Sequence, residues 1–592
     1  MKLSNKINKS ILIGIILISS FQISMLILPI QNNSKVIHYP KVFQLNDADK
    51  EWVENTLQKL TTKEKVAQMI MPWVMGNDRS TDTLEMVRIK QLITEFKVGG
   101  FIYFQGDIIN EKEDIIKMQI MSDIPLLIAS DFENGLGMRL SDGNTFPYNM
   151  AVAATGDTSL AYNMGKAIAR EARAMGVNQN YAPVADINDN PENPVIGIRS
   201  FSSDKNIVSN FTAAFVRGAT AGGIISTVKH FPGHGNTLID SHIDLPQINK
   251  SKTELYKNEL YPFINAINSG VQSIMIGHLN VPAIQKDTLL PSSLSPEIVN
   301  SLLKEKLNFN GLIVTDAMRM QALTKYYSVA ESSLLAVKAG NDILLIPPDP
   351  EVVINAISNA VYSDEITEDR IDESVRKILS AKRWIKNTEP NWDLFQNSNI
   401  YTPHQKLAQK IADKSITLVK NSRKIIPVDS KKYKKVASII FSYGIDKDSL
   451  LSINKMLANN FSSVKTVVLN NRSSRSDFSN AYNYARNSQL IILPYFMRAQ
   501  NDDNSLKLSK KYLAFIKKVL RLKTPSVLID FGNPYIISDL PQTKTYICAF
   551  NDVEVSQIAV INALLGKIPF RGRLPIDIPK TKYILGFGLS LN

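Results

Sequence analysis

A chain of 592 residues, 44% apolar and 21% charged, exceeds what one core organises and is too apolar for disorder, so two or more folded domains are expected. The single cysteine, Cys548, excludes an intramolecular disulfide framework and any cysteine-rich zinc or iron–sulfur site; it reads as a buried, inert thiol. The net charge of +13 is dispersed, and its small clusters at 431–435 and 507–511 read first as solvated surface and second as attraction to an anionic envelope. No aromatic-interleaved basic motif points to nucleic acid.

Lys2, Lys6 and Lys9 precede an apolar run over 11–30, broken by Ser19, Ser20, Gln22 and Ser24. A secretory core takes ~7–15 apolar residues and a spanning helix ~20, so this run stands at the border. No A-x-A-like cleavage site accompanies it, and no cysteine is placed to carry a lipid. Residues 1–31 therefore predict export with an uncleaved membrane anchor, or else a cleaved signal, and an extracytoplasmic body. No later segment is long and apolar enough to span a bilayer.

After a polar linker, residues 48–388 alternate short apolar runs with amphipathic stretches. The runs VAQMIMPWV, GGFIYFQG, PLLIASDFE, NQNYAPVADI, GIISTVKHF, QSIMIGHL, GLIVTDAM and NDILLIPP read as strands, and 161–175 and 255–267 as crossover helices. Strands alternating with helices imply a parallel sheet, and eight such units imply a (β/α)8 TIM-like barrel. Asp131, Asp186, Lys229 with His230, His278 and Asp316 each stand at the carboxyl end of one of these runs, the catalytic face of such a barrel. An open doubly wound sheet places polar residues along a crevice in the same way. Beyond a helix at 365–386 and a loop-rich linker (NTEPNWDLFQNSN), residues 402–592 repeat the α/β pattern in SITLVK, VASIIFSYG, VKTVVLN, SQLIILPYF, PSVLIDFG and TYICAF. That segment has no comparable set of polar strand ends. It reads as a smaller α/β sandwich serving as scaffold.

Three of the six histidines lie in KHFPGHGNTLIDSH, residues 229–242. Its glycines and proline make it a stiff irregular loop at the end of a buried strand, which suits proton transfer. Asp240 stands two residues before His242, where it can accept the Nδ1–H of the imidazole, fix its tautomer and raise its basicity. The other nitrogen is left for acid–base work, and a free imidazole titrates at about 6.5. Asp316, in GLIVTDAMRM, is by itself either a nucleophile aimed into a pocket or the N-cap of the next helix. His234 lies between glycines and reads as a brace for the loop, while His278 is open to either role.

The ordered motifs KHFPGHG…DSH and PSSLSPEIVNSLLKEKLNFNGLIVTDAM are similar to those of family 3 glycoside hydrolases of the β-N-acetylglucosaminidase branch. DFENG…RL from Asp131, NYAPVADIN, NPVIGIRSF, SIMIGH and SITLVKN extend the resemblance from about residue 50 to the C-terminus. The resemblance implies a double displacement with Asp316 as nucleophile and His242, assisted by Asp240, as acid/base. This departs from the two-carboxylate arrangement of most retaining glycosidases. It also implies that Asp131, Arg139, Arg199, Lys229 and His230 hydrogen-bond sugar hydroxyls. No cofactor or metal is implied, and the partner is an N-acetylglucosamine-containing glycan, with peptidoglycan fragments the first candidate. Asn236, Asn134, Leu136 and Ile198 depart from the family pattern around the sugar.

Three other readings remain at this level: a broader family 3 β-glycosidase or a phosphorylase, an inactive cell-surface sugar-binding protein, and a metal hydrolase using His230, His234 and His242. The last lacks the helical H-E-x-x-H spacing.

Overall fold

The computed structural model describes residues 40–76, 84–287, 289–386, 391–443, 451–497 and 510–591. The apolar run of residues 1–31 and positions 387–390 of the linker lie outside the described residues. No described helix is long and apolar enough to cross a membrane.

The first sheet takes its strands from the eight apolar runs: β1 (Ile70–Met71) leading into β2 (Trp73–Met75), β3 (Gly100–Phe104), β4 (Leu127–Ser130), β5 (Gln179–Asn180), β6 (Ile225–Phe231), β7 (Ser273–Ile276), β8 (Leu312–Thr315) and β9 (Leu344–Leu345). Strands β2 to β8 pair in chain order, all parallel. β1 pairs in parallel with β9, and a bridge from Val314 to Ile343 ties β8 to β9. The sheet is thus curled and barrel-like. Its interior is packed: Tyr103 and Tyr181 are fully buried, and Gln179 Nε2 donates to Thr227 Oγ1 at 3.1 Å. Fully buried strand residues such as Ile128, Ile274, Ile313 and Leu344 each contribute roughly 1.5–3 kcal/mol of apolar burial.

Local chemistry explains where the elements depart from the sequence reading. Thr61 and Glu64 form a capping box, so residues 66–68 finish the helix Thr62–Gln68 and the first strand starts later than VAQMIMPWV suggests. The stretch 255–267 is two helices, Lys252–Lys257 and Tyr261–Asn268, because Pro262 has no amide hydrogen to continue the first and suits the opening turn of the second. In NQNYAPVADI only Gln179–Asn180 is laddered; Pro183 cannot donate, and contact resumes at the Val184–Lys229 bridge.

The second sheet holds β10 (Thr417–Asn421), β11 (Lys435–Tyr443), β12 (Ser463–Leu469), β13 (Leu490–Met497), β14 (Ser526–Asp530) and β15 (Thr545–Cys548) in the order β10-β15-β14-β13-β11-β12. It is mixed, with β10 antiparallel to β15 and the other pairs parallel. Alternating residues feed two apolar clusters: Ile439, Ile491 and Leu528 face one, Ile440, Ile492, Val527 and Ile529 the other. The helix Ser398–Ser415 leads into this domain, earlier than the predicted start near Thr402. The first cluster also takes in Met150, Ala151 and Ala154 of the helix Asn149–Ala154, which joins the two domains through a shared core.

Candidate active site

The carboxyl edge of the curled sheet gathers the predicted polar strand ends into three connected groups. In the first, Asp131 follows β4 and Lys229 lies within β6. Lys229 Nζ reaches Asp131 Oδ1 at 2.7 Å and Glu133 Oε1 at 2.8 Å. Arg139 Nη2 binds Asp131 Oδ2 at 2.7 Å, and Arg199 grips Glu133 with Nε and Nη2 at 3.0 and 2.7 Å. Burial alone would raise both carboxyls. The flanking cations outweigh it, holding Asp131 below the usual carboxylate range and Glu133 far below it. Burial would lower Lys229 and Arg199, but the same carboxylates raise both. Three cations face two carboxylates, so the cluster keeps donors and net positive charge for an oxygen-rich ligand. Arg139 Nε is buried with no hydrogen-bond partner among the described residues.

The second group is organised by Asp186, fully buried after β5. Its carboxylate accepts from His230 Nδ1 at 2.7 Å, from the His230 amide at 3.2 Å and from the His234 amide at 2.6 Å. One side chain thereby pins both ends of the His-Phe-Pro-Gly-His turn. His234 is the brace that its place between glycines suggests: Nδ1 donates to Thr237 Oγ1 at 2.8 Å, and Nε2 accepts from Ser241 at 3.1 Å. Burial and the nearby His230 push its imidazole down to about 4. His278 is also spoken for, with Nε2 donating to the Ala317 carbonyl at 3.1 Å and Nδ1 2.7 Å from the Ser293 hydroxyl.

The third group is Asp240, His242 and Asp316. His242 Nδ1 and its own amide both donate to Asp240 Oδ1 at 2.8 Å. That hydrogen bond is the main cause raising the His242 pKa above its ordinary value. The side chain is 55% exposed, and no described residue partners its Nε2. Asp316 directly follows β8. Burial would raise it, yet His230, His278 and His242 together hold it down at about 2. It is therefore ionised at neutral pH, as a nucleophile requires. Among the described residues its Oδ1 accepts only the adjacent Ala317 amide, at 2.8 Å, so it does not cap a helix in the usual sense. The loop bearing His242 is moored beside the segment after Asp316: Ala322 donates to the Ser241 carbonyl at 3.3 Å, and Tyr326 and Lys325 both reach Asp244.

All the sequence-predicted site residues thus lie on one edge of one sheet. Glu133 and Asp186 carry as much of the electrostatic structure and were not singled out for a role. Glu133 stands inside the DFENG motif, and Asp186 among the polar strand ends, but their partners are 44 or more positions away. The four departures have local roles. Asn134 is buried and donates to the Phe146 carbonyl at 3.1 Å, and Leu136 is buried in a short 3-10 turn. Asn236 donates to Asp189 at 3.0 Å, and Ile198 packs against the core shared with the second domain.

Residues 61–381 match the glycosyl hydrolase family 3 N-terminal domain and residues 416–586 its C-terminal domain. The chain belongs to glycosyl hydrolase family 3. A Cellulomonas fimi protein named beta-N-acetylglucosaminidase/beta-glucosidase is 26% identical over 90% of this chain and 97% of its own. The solved structure of a family 3 beta-N-acetylglucosaminidase from Paenibacillus sp. str. FPU-7 superposes with a TM-score of 0.79 at 30% identity, over 87% of this chain and 98% of its own. A beta-glucoside phosphorylase superposes with the same TM-score of 0.79 at 27% identity, over 90% of this chain and 97% of its own. This family 3 chain is a glycosidase, a curled parallel sheet followed by a mixed-sheet α/β domain.

Proposed function

We propose that this glycosidase removes non-reducing terminal β-linked N-acetylglucosamine from glycans, with retention, at the mouth of a (β/α)8 barrel. The observation that carries the reading is the Asp240–His242 pair beside an ionised Asp316. In the first step Asp316 attacks the anomeric carbon while His242 Nε2–H protonates the departing glycosidic oxygen. In the second step neutral His242 takes a proton from water, the resulting nucleophile breaks the glycosyl–Asp316 bond, and His242 is again protonated. Asp240 holds the ring and stabilises the imidazolium. Asp131, Arg139, Arg199, Lys229 and His230 bind the sugar hydroxyls, which suits their surplus of donors. With the apolar run over 11–30 read as an export signal or anchor, the accessible substrates are envelope glycans such as peptidoglycan fragments. Turnover of an aryl N-acetyl-β-glucosaminide, abolished in Asp316→Ala, is the expected result; normal turnover by that variant rejects the reading.

A second reading, phosphorolysis, is favoured by the likeness to the beta-glucoside phosphorylase and by an imidazole, His242, in the acid/base position. A histidine acid/base repels a phosphate acceptor less than a carboxylate would. Sugar 1-phosphate formed only when phosphate is added selects it, and free N-acetylglucosamine under both conditions excludes it.

A further inference from the structure

The turn after β14 carries the second domain onto the catalytic face. Asp530 ends that strand, fully buried, and its Oδ1 accepts the Gly532 amide at 2.8 Å. The Tyr546 hydroxyl lies 2.7 Å from Asp530 Oδ2 and 3.0 Å from the Pro534 carbonyl, so both ends of the turn are held. The turn presents two polar side chains to the first domain. Tyr535 accepts a hydrogen bond from Asn188 Nδ2 at 3.1 Å. Asn533 lies against Gly197, where a Cβ would come within 2.8 Å of its Nδ2 and where the backbone φ is +43°. Only glycine fits that position without strain.

Both contacts lead to site residues. Asn188 is buried, its Oδ1 has no hydrogen-bond partner among the described residues, and its Nδ2 bonds to the other domain. It opens the stretch on which the His242 loop rests. Asn190 donates to the Thr237 carbonyl at 3.1 Å, and Asn193 to the His234 and Gly235 carbonyls at 2.8 and 3.1 Å. Gly235 lies so close to this stretch that a Cβ would meet the Ile187 carbonyl oxygen at 1.8 Å. Gly197, for its part, begins the short turn Gly197–Arg199, so Asn533 bears on the backbone that aims Arg199 at Glu133.

We propose that Tyr535 and Asn533 are positioning residues of the second domain, Tyr535 seating the His242 loop through Asn188 and Asn533 seating Arg199 through Gly197. The proposal rests on reading His242 as the acid/base and Arg199 as a sugar-binding group. Loss of one hydrogen bond that also leaves a buried amide unpaired is sufficient to shift a catalytic group off its productive geometry.

The test compares two aryl N-acetyl-β-glucosaminides on the same enzyme preparation, one with a phenol leaving group and one with dinitrophenol, whose departure needs no proton. Tyr535→Phe is scored by the ratio of the two rates and Asn533→Ala by KM, so the folded fraction of each preparation cancels. Tyr535→Phe is expected to lower kcat/KM for the phenyl glycoside by ~10-fold and for the dinitrophenyl glycoside by less than ~2-fold. Asn533→Ala is expected to raise KM for both by ~5-fold with kcat little changed. Equal losses on both glycosides for Tyr535→Phe, or no loss on either, overturn the proposal while leaving the hydrolase reading intact. Wild-type protein that cleaves neither glycoside overturns the hydrolase reading and this one with it.

Discussion

Asp316, half-buried, and Asp530, fully buried, each stand at the carboxyl end of a parallel strand, one in each sheet, and their environments drive them in opposite directions. Around Asp316, three imidazoles outweigh burial and hold the carboxyl at about 2. Around Asp530 burial meets only a tyrosine hydroxyl and a backbone amide, and the carboxyl is pushed up to about 7. The same residue on the same kind of edge becomes a standing anion in one domain and a structural tie in the other. What separates them is the supply of opposing charge, because desolvation penalises the ionised form at both sites. The Asp131–Lys229–Glu133–Arg199 network follows the same rule on the first edge.

Substitutions at the two edges should divide accordingly. Asp316→Asn keeps the size of the side chain and its acceptor for the Ala317 amide, yet turnover of an aryl N-acetyl-β-glucosaminide should fall on the order of 10⁴-fold or more, measured by released phenol. Asp240→Asn should lower kcat/KM by ~10²-fold and move its alkaline limb to lower pH. The sign follows from the geometry: Asp240 raises the His242 pKa, so without that carboxylate the acid loses its proton earlier as pH climbs. In the wild-type protein that limb should lie above the ordinary imidazole value of about 6.5, read from a pH–rate profile.

Glu133→Gln should raise KM ~10-fold and cost about 3 kcal/mol of stability, since it leaves buried Lys229 and half-buried Arg199 with one anion fewer; denaturant melts and initial rates check both. Asp530→Asn keeps an oxygen for the Gly532 amide, so it should lower kcat/KM by no more than the ~10-fold expected of Tyr535→Phe and act chiefly on the pH dependence of stability. The raised folded pKa means that Asp530 contributes stability below the unfolded value of about 3.9, and this is lost as pH rises through about 7. Thermal melts should therefore show the variant gaining on the wild type between pH 5 and pH 8, which bracket most of that range. If Asp530→Asn instead abolished turnover, the contrast between the two edges would be wrong.

How much of this was legible in the chain depends on reach. The Asp240–His242 pair is closed within three residues, so its hydrogen bond could be read from spacing. The strands of the first sheet were legible because β-branched apolar runs recur between helical stretches, and the polar residues ending five of the eight runs pointed to one edge. The missed boundaries came from chemistry equally local but outweighed by hydrophobic pattern, namely the Thr61–Glu64 cap and Pro262. Glu133 was not legible as a hub, because its cations arrive from other strand ends. The second domain read as scaffold because Asn533 and Tyr535 carry no motif; their meaning lies in Gly197 and Asn188, more than 300 positions away.

By itself the sequence determined the order of strands and helices, the family, and the identity of the chemically capable side chains, because periodicity, capping and short motifs are local. Only the tertiary structure decided which histidines are spent on structure, which carboxyl is held ionised, and how the second domain bears on the first. Those outcomes depend on burial and on charges brought within a few ångströms, and no spacing along the chain encodes either.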